Sequence, residues 1–527
     1  MTSYETISNG NLSSGSERND EMTRSRRKAR EGGGQASMLS SIINLLNTIV
    51  GAGTLAMPSV LSHMGIFLGT LMIVWSGFTA AFGLYLQGRC ARYLDRGGSS
   101  FFAISKLTYP NAAVIFDAAI AIKCFGVGVS YLIIIGDLMP KVLLGFNESI
   151  TADRPYLADR NFWITAFMLL VIPLSFLRRL DSLKYTSIVA LVSIGYLVIL
   201  VVYHFGVEPL QDKSSLRIIQ PQSTVAFLST LPVVVFAYTC HQNMFSILNE
   251  IKDASPSSIV GVVGTSIGSA SSVYVLVAIT GYLTFGNDVN GNIVSMYAPS
   301  VATLIGQLGI VILVTFSIPL QVHPCRASID AVLKWRPNAN QPNSAARSSS
   351  PGGGRPLLGA AGSSARPDPA IKPMSDLRFA ILTSVILVLG YLVALSVTSL
   401  ERVLAYVGSI GSTSISFILP GLFYYKISDP ESIHHQRLLK EDDDAGDAVD
   451  AADDDIEDSA ALATSIQSLG SVASVALDPR KWRKKWRWDL EHIEHDALRK
   501  GALALSIYGM CVMVICLGMN IVFHASG

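Results

Sequence analysis

Charge is scarce in this 527-residue sequence: Asp, Glu, Lys and Arg together make up 15% of it, against 50% hydrophobic residues. A chain of that balance cannot cover several globular domains with charged surface, so an ordinary multidomain soluble protein is excluded. Cysteine is sparse too. Cys90, Cys124, Cys240, Cys325, Cys511 and Cys516 all lie in or at the ends of apolar runs, which leaves no disulfide framework for an extracellular domain. The polar segments lack Cys/His metal spacings, a phosphate-cradling glycine loop and a nucleophile elbow, so no enzyme, metal or cofactor is expected. No apolar signal core precedes the first hydrophobic run, which predicts that this run is retained.

What the chain has in abundance is apolar runs near 20 residues, long enough to cross roughly 30 Å of hydrocarbon. Eleven are predicted: 38–63, 64–88, 112–136, 161–177, 185–206, 224–249, 258–285, 298–325, 377–397, 403–425 and 500–524. The net charge of +1 says little about partners; its distribution says more. With the N-terminal tail in the cytosol, about 33 of the 40 Lys and Arg residues fall on cytosolic segments, about 6 on the other side, and Lys123 inside a span. Basic loops stay cytosolic, so the N-terminus is expected there and the short C-terminus on the opposite side. Asn147-Glu148-Ser149 then lies on the non-cytosolic side, where Asn147 can be glycosylated.

Polar stretches separate the spans. Residues 1–37 read as a disordered cytosolic tail and 38–335 as spans 1–8; residues 336–375, rich in Pro, Gly, Ser and Ala, cannot bury enough apolar surface to order themselves. Spans 9 and 10 fill 376–428. Residues 429–498 form an acidic loop whose block from Glu441 to Asp458 reads as solvated charge, with a metal or regulatory sensor as the alternative. Its end, from Lys481 to Trp488, is basic and Trp-rich, which suits anionic headgroups and the bilayer interface better than nucleic acid. Residues 499–527 hold span 11 and the C-terminus.

Two spans carry their own interruption. The first has Val50-Gly51-Ala52-Gly53-Thr54 at its centre, and the sixth has Ala237-Tyr238-Thr239-Cys240-His241-Gln242-Asn243. An unpaired backbone group in hydrocarbon costs several kcal/mol, so broken backbone persists only where protein, ligand or a wet cavity supplies partners. The glycines could be a packing notch, and the polar side chains of span 6 could bond neighbouring helices. A histidine and two amides within three residues point instead to a site. The interrupted spans are five apart, an odd number, so the two halves begin on opposite sides of the membrane. Inverted repeats of that kind aim half-helix N-termini at anionic substrate groups. Lys123, deep in span 3, must snorkel, pair, lose its proton or stand in for a cation, unless it is a fixed contact to carbonyls of a broken helix.

The stretch Asn44 to Gly53 with Met57-Pro58, Phe236 to Asn243 with Asn249-Glu250, Phe316 to Leu320 with His323 to Arg326, and Gly408 to Ser412 with Leu419 to Gly421 are the telling motifs. By them the chain resembles the amino acid/auxin permease family, which includes sodium-coupled neutral amino acid transporters and fungal vacuolar amino acid transporters. The resemblance implies an all-α integral membrane fold like that of the bacterial leucine transporter: five plus five inverted spans and an eleventh, with helices 1 and 6 broken. It implies an amino acid whose carboxylate meets the backbone around Val50, Gly51, Ala52, Gly53 and Thr54. Phe236, Tyr238, Thr239, Cys240, His241 and Gln242 would receive its amine and side chain. In sodium-coupled relatives a cation lies between the first break and hydroxyls of span 8, for which Asn47, Thr315 and Ser317 are available here; such oxygens suit a hard cation.

Lys123 and the vacuolar likeness favour a proton. His241 could titrate between cytosolic and organelle pH, or be a neutral structural histidine. The function implied is secondary active amino acid transport across the vacuolar membrane by alternating access, with the bilayer, an amino acid and a proton or sodium ion as partners. A membrane-bound amino acid sensor signalling through its tails and a sodium-coupled plasma-membrane symporter remain the alternatives. A β-branched residue at Gly51 or Gly53 is expected to stop transport without loss of abundance.

Overall fold

Hydrocarbon leaves a chain only two ways to satisfy its backbone, closed barrels and helices. In a computed structural model, which describes residues 34–94, 97–146, 154–177, 184–207, 216–334, 374–438 and 479–525, the described residues are helical apart from turns and one isolated bridge between Ala36 and Ile251. The helices are α1 (Met38–Ile49), α2 (Ala52–Met64), α3 (Ile66–Ala91), the short α4 (Phe101–Thr108), α5 (Ala113–Phe146), α6 (Arg160–Ser175), α7 (Lys184–Val207) and α8 (Thr224–Ala237). There follow α9 (His241–Glu250), α10 (Pro256–Phe285), α11 (Val301–Lys334), α12 (Asp376–Ser396), α13 (Leu400–Val407), α14 (Leu419–Ile427) and α15 (Pro479–Ala525).

Among the described residues nine stretches are long and apolar enough to cross a membrane, and α1 with α2, bent by 54° at their break, make a tenth. The fourth expected span is a shorter element. There α6 runs for 16 residues, Arg160–Ser175, with Pro173 inside its last turn. Other helices overrun their apolar cores: α5 and α11 reach 34 residues each, and α15, 47 residues long, begins at Pro479. The basic, Trp-rich segment is therefore the N-terminal extension of the last span. Proline suits that first helical position, where its missing N–H is not needed.

The first interrupted pair is built asymmetrically. Every residue of α2 except His63 is buried, whereas α1 buries only Ser41, Leu45 and Ile49, four residues apart and so on one face. Thus α2 is a central helix and α1 a peripheral one. The far end of α2 is tied down: Arg217 donates to the Ser62 carbonyl and to Asn287 Oδ1, each at 2.7 Å. At the opposite end the bridge at Ala36 joins the entry of α1 to the exit of α9, with Ala36 N donating to Glu250 O and Lys252 N to Ala36 O, both at 2.9 Å.

Between α13 and α14 the backbone widens into π-helix over Gly408–Ser412 and Ser414–Ile418. The widened segment lies between α5 and α8 with no room to spare. A Cβ on Gly408 would meet the Pro232 carbonyl oxygen at 2.0 Å, and one on Gly411 would lie 2.7 Å from Lys123 Cβ. Membrane helices lack a hydrophobic drive to associate, so small residues that let backbones touch supply the packing instead. Gly411→Val is therefore expected to lower stability by about 1–3 kcal/mol through overpacking. Thermal unfolding of the purified protein should show it, while Gly264→Val on α10, where a Cβ meets nothing within 4 Å, should leave the midpoint unchanged.

Candidate functional site

The two breaks come together. α1 ends at Ile49, Val50 turns extended, and α2 starts after Gly51, a position at which no side chain caps the helix. α8 ends at Ala237, and α9 resumes at His241 after Tyr238, Thr239 and Cys240. Tyr274 of α10, wholly buried, places its hydroxyl 2.7 Å from the Ile49 carbonyl and 2.7 Å from the Ala237 carbonyl. It is the donor for the last residue of both first halves. Gly53 makes the crossing possible, since a Cβ there would fall 2.6 Å from Ala237 Cβ and 2.8 Å from its Cα.

Beside the crossing lies a cavity of about 360 Å³, its mouth included. It gathers the sequence-nominated Gly51, Ala52, Gly53, Lys123, Phe236, Thr239 and Gln242, and adds Thr48, Ile49, Val127, Tyr131, Ala237 and Gln321. Thr48 of α1, Gln242 of α9 and Gln321 of α11 are half-buried, while Lys123, Phe236, Ala237 and Thr239 are buried. Gly51 before α2 and Tyr131 of α5 are half-buried as well, so the cavity is bounded by partly accessible residues of several helices.

Chemically it holds both signs of partner. The uncapped start of α2 offers backbone N–H groups and the positive end of a helix dipole, which suit a carboxylate. Gln242 Oε1 and Gln321 Oε1 are buried acceptors without a hydrogen-bond partner among the described residues, which suits an ammonium. Such a pair of demands, one anion and one cation a few ångströms apart, is what the backbone end of an amino acid presents. Lys123, 3% exposed, is the one charged lining residue.

Other nominated residues lie off the lining. Tyr238, in the unwound stretch between α8 and α9, turns away, its hydroxyl donating to Ser271 Oγ at 2.8 Å. His241, fully buried, donates from Nε2 to the Ala80 carbonyl at 3.1 Å, so it ties α9 to α3. Val50, Thr54 and Cys240 are buried behind the breaks. Asn47 stands outside the lining as well, and the hydroxyls of Thr315 and Ser317 donate one turn back, to Val311 O at 2.6 Å and Leu313 O at 2.8 Å. Asn147 lies outside the described residues. The residues missed had a signal: Val127 and Tyr131 follow Lys123 at four-residue steps on one helix face, as Gln321 follows Ser317. Tyr274 was legible only as a tyrosine at mid-span.

A multi-pass helical membrane protein with a part-polar cavity at two helix breaks is the class that fold and site define. The family model described as "Transmembrane amino acid transporter protein" matches residues 34–442. Vacuolar amino acid transporter 5 of Schizosaccharomyces pombe is 43% identical over 396 residues, covering 75% of this chain and 86% of that protein. Vacuolar amino acid transporter 6 of Saccharomyces cerevisiae is 42% identical over 420 residues, covering 75% and 91%. Sodium-coupled neutral amino acid symporter 2 of Danio rerio is 25% identical over 76% of this chain and 77% of its own. Among solved structures, MhsT in complex with L-phenylalanine is similar at 13% identity with a TM-score of 0.42, over 77% of this chain and 98% of that one. The chain belongs to the transmembrane amino acid transporter family.

The two glycines of the first break part company in this geometry. At Gly51 a Cβ meets only the Tyr131 hydroxyl, at 3.9 Å, so Gly51→Val should fold normally and obstruct the cavity. Gly53→Val should instead force α2 from α8 and reduce the amount of folded protein, which size-exclusion profiles beside transport assays would separate. Tyr274→Phe strips the donor from two buried carbonyls and is expected to lower stability by about 1–3 kcal/mol in thermal unfolding.

Proposed function

We propose that the chain is a secondary active amino acid transporter of the vacuolar membrane, working by alternating access and driven by a proton gradient. The observation that carries this is the convergence of two helix breaks on one cavity whose uncapped helix start and unpartnered amide oxygens suit a zwitterion. Vacuolar relatives at about two-fifths identity support the compartment. With basic segments concentrated on the side of the N-terminus, that side is cytosolic.

Movement follows from the asymmetry of the first pair. α1 is held by one face and by Asn243 Nδ2, which donates to Thr48 Oγ1 at 3.0 Å, so α1 and α9 can swing together while α2 stays. Five plus five inverted spans would supply the mirror motion on the lumenal side. For coupling, Lys123 supports a proton: an ammonium in the cavity takes the place of a bound cation, and Asn47, Thr315 and Ser317 stand off the lining in this conformation. When protonated it carries the positive charge that a coupled ion would otherwise bring. Discharge to the cytosol resets it.

Purified protein in proteoliposomes should exchange amino acids in counterflow and accumulate them under an imposed pH gradient. Binding without exchange would identify a sensor, and accumulation driven by a sodium gradient at equal pH would remove the proton from the cycle.

A further inference from the structure

We infer that the cavity takes an amino acid with a second carboxylate, an aspartate- or glutamate-like substrate, and that Lys123 is the residue that selects it. The inference deepens the carrier function proposed above and rests on it.

Lys123 lies roughly 15 Å along α5 from Ala113, too far from the helix end to snorkel, and it is 3% exposed. Its backbone is pinned, because at Gly411 the widened tenth span comes so near that a Cβ would lie 2.7 Å from Lys123 Cβ and 2.9 Å from Lys123 Cα. The side chain has only the cavity to enter. There its ammonium donates no hydrogen bond to any described residue, and the ionisable groups acting on it are the thiols of Cys124 and Cys240 and the imidazole of His241.

Among the described residues no carboxylate lines the cavity. The acids on the neighbouring helices are occupied or elsewhere. Asp137 pairs with Arg160 at 3.2 Å, and Asp330 with Lys334 and Arg378 at 2.5 Å each. Glu401 sits against the turn at Gly291, where a Cβ would meet its Cγ at 2.3 Å, and Asp117 lies off the lining. A cation with three donors and no counter-ion is therefore presented to whatever binds.

The remaining groups are already matched by the common part of any amino acid: N–H groups at Ala52 and Gly53 for the α-carboxylate, Gln242 and Gln321 oxygens for the ammonium. A neutral amino acid would satisfy these and leave the protonated Lys123, the form that binds substrate in the cycle proposed above, uncompensated in a low-dielectric pocket, which is the costly case. An acidic side chain closes the account of charge: substrate −1, Lys123 +1. A basic one would set two cations side by side. The start of α9 at His241, a second helix N-terminus at the cavity, adds to the positive field.

The test compares each acid with its isosteric amide on the full-length protein in detergent. Titration calorimetry with L-aspartate against L-asparagine, and L-glutamate against L-glutamine, should show the acid binding tighter by roughly tenfold or more. Lys123→Met should bring that ratio to about one, and Lys123→Arg should keep the acid ahead. Equal or tighter binding of the amides by the wild-type protein overturns the inference, whatever the variants do, and needs no variant to fold. Counterflow separates the two levels. Neutral amino acids exchanged with no preference for acids would leave the carrier standing and sink the selectivity. Tight acid binding without exchange would sink the carrier and keep the selectivity.

Discussion

One phenol hydroxyl stands between the last carbonyls of two half-helices. Those carbonyls end their helices inside the protein, and Tyr274 reaches both at 2.7 Å. A hydroxyl has a single proton, so the two ends share one donor and are held at a fixed distance from each other. The rest of the site depends on that spacing. It sets where α2 begins, where the peptide groups after Ala237 turn, and how much space is left for a ligand between them.

The start of α2 has no capping side chain, and the amide oxygens of Gln242 and Gln321 are buried without a partner among the described residues. Both glutamines line the cavity beside that helix start and make it part-polar. Burial divides along the same line: α2 is enclosed on all sides, α1 on one face only.

Much of this was legible beforehand. Apolar runs located the spans, since only helices of that length satisfy the backbone in lipid, and the glycines at 51 and 53 with the polar stretch at 237–243 located the breaks. The fourth span, expected over 161–177, is the helix Arg160–Ser175. Within the breaks, residue type alone did not sort facing from averted side chains. Tyr238 and His241 are polar at depth and looked like ligand contacts; each is bonded to a neighbouring helix instead.

Composition and periodicity by themselves determined a multi-pass helical protein interrupted twice, because hydrophobic length and poor helix formers are local properties that lipid turns into structure. Only the tertiary arrangement decided which residues share the cavity. Lys123, Tyr131, Gln242 and Gln321 come from three helices far apart in the chain, and their meeting depends on glycine-sized gaps at 53, 408 and 411 that let backbones touch. A sequence displays each small residue but not the surface it meets, and it is that contact which turns an isolated lysine into part of a cavity wall.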